Sequence, residues 1–549
     1  MQFLIPMSGT GERFRAKGYE LPKPLIRVEG KPMVEHVVDM LSPLGSHYFV
    51  CNSEHLDDLN LGLATKLEAL SEDVNIIPIK PHKLGPVHAA LHAANHLVQD
   101  EEVVLNYVDF SCIWDFEGFI RHAHEINADG MVPAYRGFHP HSGGTTNYAY
   151  LRERDGELLE IREKQPFTTE KTEEYASTGT YYFKTVALMR TYFERLISEN
   201  VSVNGEFYAS SAFDLMARDG LKVGVHEVSH FMQWGTPEDL EEYVFWSNAF
   251  RMLSANGRSD GAIAGVGNLA VLASGRGSRF SDAGYRVPKP FLSVSGDSML
   301  NQVLRVGEPS AKRAVSVTSD LLNYTELLSD VNVVSFNEVS GGQAESAGNL
   351  LDELTNWEDS AFTVLPSDTL FSDSSSALKR IVDHLSGEAF LVVWATAASP
   401  YALKNPKSFG WISRDGSEIE TFIKVPPTNE AAKVISGAFT FSSRKDFAVL
   451  FDALRDRDLK VNGEFYLDSM ISIAQELGYK VRIFEPEFCL SLGTPYEFET
   501  FRYWQTAFDQ WESHPYKLED DQFVRPENIQ RLRESLQATK HRPSEWVSS

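Results

Sequence analysis

Cysteine is scarce in this chain of 549 residues: Cys51, Cys112 and Cys489 stand far apart, with no CxxC spacing. That argues against a disulfide framework or a thiolate zinc site, fits a reducing cytoplasm, and leaves the three thiols as expected core residues. Positive charge is also short. Lys and Arg number 51 against 77 Asp and Glu, a net charge of −26, which repels phosphate backbones and anionic membranes, so neither nucleic acid nor membrane is expected as a partner. No apolar run approaches the ~20 residues that a membrane span needs. The opening MQFLIPMSGTGERF has too short an apolar run for a signal peptide, and a cytoplasmic location is the expectation.

Two common phosphate-loop signatures are missing as well. The GK[ST] of a Walker loop is absent, and the third glycine of a GxGxxG dinucleotide fingerprint is replaced by Phe14 and Phe280. What remains is a soluble globular composition, 42% hydrophobic and 23% charged, in a chain longer than one core usually serves, so two domains are expected.

An internal repeat organises the chain. Phe3–Lys31 recurs as Leu269–Asp297 at an offset of 266, sharing SGxGxRFxxxGYxxPKPxxxVxG. Three later blocks follow in the same order: NYVDF against LPSDTLF, VNGEFY (203–208) against VNGEFY (461–466), and WGTPEDL against LGTPYEF. The expected layout is a first domain over 1–253, a linker over 254–267, a second domain over 268–510 and a charged tail over 511–549 of open role. The tail lacks a hexapeptide repeat, so no β-helix domain is expected there. Aliphatic runs alternate with amphipathic segments in each copy, which reads as α/β with a mainly parallel sheet and ligands beyond the carboxyl ends of its strands.

The loop after the first strand offers backbone unobstructed by side chains at Gly9 and Gly11, and again at Gly275 and Gly277, as close approach of a triphosphate requires, with Ser8 and Ser274 beside them as nucleotide-binding candidates. A GxG after a strand is weak alone. The specificity lies downstream, where Arg13 and Lys23, then Arg279 and Lys289, recur at one spacing in an otherwise acidic protein. Prolines on both sides of each lysine hold its backbone extended and cut the entropy of presenting the charge.

These residues, GxGxRF…PKP, an Asp after a buried strand and EKQP further on, resemble the sugar-phosphate nucleotidyltransferase superfamily over nearly the whole of each copy. The resemblance implies two tandem Rossmann-like nucleotidyltransferase (GT-A-like) domains, each a mainly parallel mixed sheet flanked by helices. It implies that Arg13 and Arg279 bind leaving pyrophosphate, that Lys23 and Lys289 bind the α-phosphate, and that Asp109 and Asp368 hold Mg²⁺. Lys164 in EKQP and Lys424 in IKVP would hold the acceptor's phosphate, and Glu163 would contact polar groups of the acceptor; Ile423 replaces it in the second copy. Gly179 and Gly437 match the glycine beside the acceptor, and Gly85 and Gly342 the segment that recognises the base. The second metal carboxylate is replaced by Gln233, whose amide oxygen could coordinate, and by Ser491, a poor ligand.

The first copy's PHKLGPVHAAL, LNYVDFSC, GFHPHSGGTTNYAY and EKQPFT together look like a capsule-biosynthesis subgroup that includes CTP:phosphoglutamine cytidylyltransferases. The expected substrates are thus an NTP, CTP by this resemblance, and a phosphorylated small-molecule acceptor. His82, His88, His139 and His141 fit no standard zinc spacing and are read as acceptor contacts or loop packing. Three alternatives stay open: two active transferases with different acceptors, one active domain with a regulatory nucleotide-binding partner, or a duplicated hexose-1-phosphate nucleotidylyltransferase. Homo-oligomerisation is also open.

Overall fold

The computed structural model describes residues 1–41, 45–141, 148–255, 261–355, 357–415 and 418–538. Residues 256–260 of the expected linker, 142–147 of the GFHPHSGGTTNYAY segment and 539–549 of the expected tail lie outside them. The chain divides into two compact units. One comprises Met1–Val244 and Gln510–His514; the other comprises Phe245–Asp509 and the described part of Pro515–Ser549.

The first unit is built on a ten-stranded mixed sheet. Its parallel block joins Gln2–Met7 to Ser46–Asn52 on one side and to Val103–Asn106 on the other, with Val74–Ile79 at the edge. These strands read as near-continuous apolar runs because helices cover both faces, and Phe3, Leu4, Ile5, Phe49 and Val104 are all fully buried. Thr180–Phe183 runs antiparallel between Val103–Asn106 and Gly130–Tyr135, and the hairpin Ala149–Arg154/Glu157–Glu163 extends the sheet beyond Val223–Glu227.

The second unit repeats this order in a nine-stranded sheet: Asn332–Phe336, Arg313–Thr318, Asn268–Leu272, Phe362–Pro366, Lys433–Phe441, Phe390–Thr396 and Lys480–Phe484, with the hairpin Gly410–Asp415/Glu418–Ile423 attached to Lys433–Phe441. Both sheets mix parallel and antiparallel strands, and both are flanked by helices, as the repeat implies.

Residues around the expected boundaries are folded in. Ile263 and Val266 belong to the second unit's core. Within the stretch read as a charged tail, Tyr516 and Leu518 are fully buried, and Tyr516 donates to Asp521 at 2.6 Å while receiving a bond from Gln505 at 3.1 Å. Among the described residues no helix is long and apolar enough to cross a membrane.

Candidate active site

In each unit the Gly-rich loop leaves the carboxyl end of the central strand and turns into a five-residue helix, Glu12–Ala16 or Ser278–Asp282. Gly11 at φ 65° and Gly277 at φ 60° start these helices in the left-handed region that glycine enters without strain. Gly9 and Gly275 border open space, with nothing within 4 Å of where a Cβ would stand. Arg13 and Arg279 are exposed on the short helices.

Pro22 and Pro288 hold extended backbone ahead of short 3₁₀ turns at Lys23–Leu25 and Lys289–Phe291. Each turn aims its lysine at the strand-end aspartate. Lys23 Nζ donates to Asp109 Oδ2 at 2.5 Å and to the Gly235 carbonyl at 2.9 Å, and Lys289 donates to Asp368. Both ammonium groups lie 5.6 Å from a phenylalanine ring centroid, Phe14 or Phe280, the residue that displaced the third glycine. Burial favours a neutral Asp368, but the charge and hydrogen bond of Lys289 override it and hold the carboxyl below its usual range.

A small two-stranded sheet sets the second ligand position. Phe110–Ile113 pairs with His230–Gln233 so that Gln233 faces Phe110, next to Asp109, and the Trp234 N–H closes the corner onto the Asp109 carbonyl at 2.8 Å. Thr369–Ser372 and Phe488–Ser491 repeat this, with Leu492 N–H on the Asp368 carbonyl at 2.7 Å. Gln233 donates through Nε2 to Asp239 at 2.8 Å, and its Oε1 is buried with no hydrogen-bond partner among the described residues. A buried amide oxygen short of donors, on a side chain that adjoins Asp109, is the kind of ligand a hard divalent cation takes, so Asp109 and Gln233 fit Mg²⁺. In the second unit Ser491 Oγ instead receives the Gly493 N–H at 3.3 Å. Both units place a carboxylate at this corner, Asp239 in the first and Glu497 in the second. A Cβ on Gly493 would lie 3.3 Å from Asp368 Oδ2 and 3.7 Å from Glu497 Oε2, and burial pushes Glu497 up to about 7 against the hydrogen bond from the Thr494 hydroxyl. Asp368 with Glu497 thus offers hard oxygens in the second unit. Among the described residues no group of three or more His, Cys, Asp or Glu side chains could hold a metal.

On the acceptor side, Lys164 and Lys424 both adopt φ 58°, a left-handed conformation uncommon for lysine that turns each side chain out of its hairpin. Lys164 Nζ contacts the Tyr208 hydroxyl at 2.5 Å, and Lys424 donates to the Ser408 carbonyl at 2.6 Å. Each ammonium lies over a tyrosine ring, Tyr208 at 4.4 Å or Tyr466 at 5.2 Å. Glu163 Oε2 accepts from Ser210 Oγ at 2.5 Å; burial raises its carboxyl, opposed by Ser210 and Lys164. Gly179, at φ 101°, leaves room for Tyr107, whose Cδ2 would be 3.0 Å from a Cβ there, and Gly437 at φ 80° faces Pro366 in the same way.

The glycines of the expected base segment have a structural duty. A Cβ on Gly85 would lie 2.6 Å from the Phe207 carbonyl oxygen, and one on Gly342 would lie 2.5 Å from that of Phe465. The repeated VNGEFY block docks its backbone on them through Phe207 N–H to Leu84 O at 3.0 Å and Phe465 N–H to Gly341 O at 2.8 Å. Among the histidines, His82 contacts Ser8 at 3.2 Å in the phosphate loop, and its ring lies edge-on to His88 at 4.7 Å. His139 packs under the hairpin against the Phe231 carbonyl at 2.5 Å, and His141 pairs with Asp239 at 3.1 Å.

Sequence reasoning brought together the loop, Lys23 with Asp109, and Lys289 with Asp368. It missed Tyr208, Tyr466, Ser210, Asp468, Asp239 and Glu497. The signal for the tyrosines was present in VNGEFY, a repeated block with no role attached; Asp239 and Glu497 were hidden as ordinary first-turn residues of the helices after GTP.

The fold is a tandem pair of α/β domains of the nucleotidyltransferase type. The chain belongs to the family described as the MobA-like NTP transferase domain, which matches it twice, over residues 4–167 and 269–422, more than half its length. Among curated relatives, the Bifunctional protein GlmU of Bacillus cytotoxicus is 27% identical over 232 residues, which cover 42% of this chain and 47% of that protein. The Bifunctional protein GlmU of Bacillus cereus (strain AH187) is similar to the same extent, 27% over 232 residues. The chain therefore spans about half the length of these relatives. Among solved structures, a UDP-glucose pyrophosphorylase complexed with UDP-glucose is similar at 18% identity and TM-score 0.37, over 46% of this chain and 98% of that one. The inositol-1-phosphate CTP transferase from T. maritima is similar at 15% identity and TM-score 0.35, over 44% and 93%.

Proposed function

We propose that each unit transfers a nucleoside monophosphate from an NTP to a phosphorylated small molecule, releasing pyrophosphate. The observation that carries this reading is the repeated pairing of a proline-flanked lysine with a strand-end aspartate beside an open glycine loop, together with a second lysine over a tyrosine in each unit. One cation serves the donor and the other serves the acceptor.

An oxygen of the acceptor's phosphate attacks the α-phosphorus in line; the bond from that phosphorus to the bridging oxygen of the β-phosphate breaks, and pyrophosphate leaves. Little covalent work falls to the protein, so positioning and charge neutralisation dominate. Lys23 and Lys289 hold the α-phosphate, Arg13 and Arg279 the departing pyrophosphate, and Lys164 and Lys424 the attacking phosphate. Gly9, Gly11, Gly275 and Gly277 let the triphosphate approach the backbone, with Ser8 and Ser274 at the loop entrance, while Gly85 and Gly342 keep the base segment close. Mg²⁺, held by Asp109 with Gln233 and by Asp368 with Glu497, would neutralise charge on the phosphates.

For the first unit we infer CTP as donor and a capsule-type phosphorylated amide as acceptor, in the cytoplasm. The support is its motif set and the part-buried Glu163–Ser210 pair, whose carboxylate can receive an acceptor N–H or O–H. A pyrophosphate-release screen of four NTPs against phosphorylated amides and hexose 1-phosphates, run on wild type, Lys23→Ala and Lys289→Ala, tests the reading. Turnover of a hexose 1-phosphate alone would replace the capsule assignment with NDP-sugar synthesis. Unchanged activities in Lys289→Ala would leave one active unit.

A further inference from the structure

The replacement of Glu163 by Ile423 suggests that the second unit has lost its acceptor-side carboxylate. It has moved instead. The contact of Glu163 with Ser210 joins the hairpin end to the start of the helix after VNGEFY. In the second unit both ends of that contact change together: Ile423 stands for Glu163, and Asp468, in the 3₁₀ turn Leu467–Ser469, stands for Ser210.

A third position changes with them. Glu163 pairs across its hairpin with Ala149, and Ile423 pairs in the same register with Gly410. A Cβ on Gly410 would overlap Asp468 Oδ2 and lie 3.0 Å from its Cγ, so the alanine of the first unit would expel the Asp468 carboxylate. The glycine makes room for it on the strand that pairs with Ile423, at the hairpin end from which Glu163 reaches Ser210 in the first unit. Asp468 is 6% exposed. Its own backbone N–H reaches its carboxylate and Lys424 faces it electrostatically, while no other side chain among the described residues donates to it.

A carboxylate buried beside a cation and short of donors is costly unless a ligand supplies them. The neighbouring wall differs too, since Pro366 replaces Tyr107 against the acceptor-side glycine and removes the hydroxyl that receives the Ala209 N–H at 3.3 Å. The second unit therefore keeps one acceptor-side carboxylate and delivers it from the opposite element.

We propose that Asp468 is the acceptor-binding carboxylate of the second unit, receiving hydroxyl or N–H groups of a phosphorylated acceptor different from that of the first. This rests on the transferase reading of the second unit. The test uses full-length protein carrying Lys23→Ala and Lys164→Ala, which silences the first unit, probed with glucose 1-phosphate, inositol 1-phosphate and a phosphorylated glutamine amide. Acceptor binding is measured by calorimetry and turnover by pyrophosphate release.

Asp468→Asn and Gly410→Ala should each weaken acceptor binding roughly tenfold or more, with the NTP-induced thermal shift unchanged. The double change Ile423→Glu with Asp468→Ser, which installs the first unit's pair, should restore binding and move preference toward the first unit's acceptor. Binding that weakens in Asp468→Asn without any turnover would keep the carboxylate's role and sink the transferase reading. Acceptor affinity within twofold of wild type in Asp468→Asn, or no binding of any probe to the second unit, would overturn the assignment.

Discussion

Lys23 Nζ stands 2.5 Å from Asp109 Oδ2, and Lys289 meets Asp368 in the same way. The donor cation and the metal-side carboxylate are therefore already paired, and incoming phosphate must divide them, binding the lysine while the carboxylate turns to metal. Lys23→Ala and Lys289→Ala should each lower pyrophosphate release from the affected unit by about a hundredfold or more, the scale of losing one charge-stabilising donor. Stability should fall as well, because the lysine's removal strips a counter-ion from a carboxylate in a largely buried pair, with Lys23 and Asp109 side chains 19% and 28% exposed. Single-acceptor kinetics and thermal melts separate the two effects. A loss of activity that tracks a loss of folded protein would count against a chemical role.

The glycines divide into two kinds with opposite expected phenotypes. Gly85→Ala and Gly342→Ala force a Cβ into the backbone of Phe207 or Phe465 at positive φ and should destabilise their units by about 2 kcal/mol or more. Gly9→Ala has open space around it and should leave stability within about 0.5 kcal/mol while weakening the thermal shift given by NTP. Full nucleotide affinity in Gly9→Ala, measured by titration, would remove the triphosphate from this loop.

The loop, its cations and the strand-end aspartates were legible because a duplicated chain displays each twice, so spacing alone separates Lys23 and Lys289 from the other charges. The exchange of Glu163 and Ser210 for Ile423 and Asp468 was not. It joins residues on separate elements, and read one position at a time it looks like a lost carboxylate beside an unrelated aspartate. Gly85 was legible as a required glycine, but its cause, the backbone of Phe207, lies far along the chain. Glu497 reads as a residue of a helix's first turn until folding brings it toward Asp368.

Burial pushes Asp468 up to about 6 from 3.8, opposed by Lys424 and by its own backbone N–H. Glu464 and Tyr466 are the other ionisable groups of the adjoining turn, and both face Lys424 or its neighbours. A carboxyl raised on folding favours the protonated native state, so its contribution is fully present below 3.8 and is lost as pH rises through about 6. The second unit's melting temperature should therefore fall over that interval, and Asp468→Asn should flatten the fall. Identical pH profiles for the two proteins would show that Asp468 ionises in the fold as freely as in the unfolded chain.

Gln233 provides the sharpest test of the metal site. Its Nε2 donates to Asp239, while its Oε1 lies buried with no partner among the described residues. Gln233→Asp removes that donor and places a third carboxylate near Asp109 and Asp239, where like charges repel at close range. Without metal the variant should melt lower than wild type. With Mg²⁺ it should recover, because a divalent cation bound only to the native state stabilises it by mass action. The Mg²⁺ concentration that gives half-maximal thermal shift should fall about fivefold or more, since a charged oxygen replaces a neutral one. Ser491→Asp should act in the same direction beside Asp368 and Glu497. A Gln233→Asp protein whose melting is indifferent to Mg²⁺ would move the metal away from this corner and leave the orphan oxygen without a ligand.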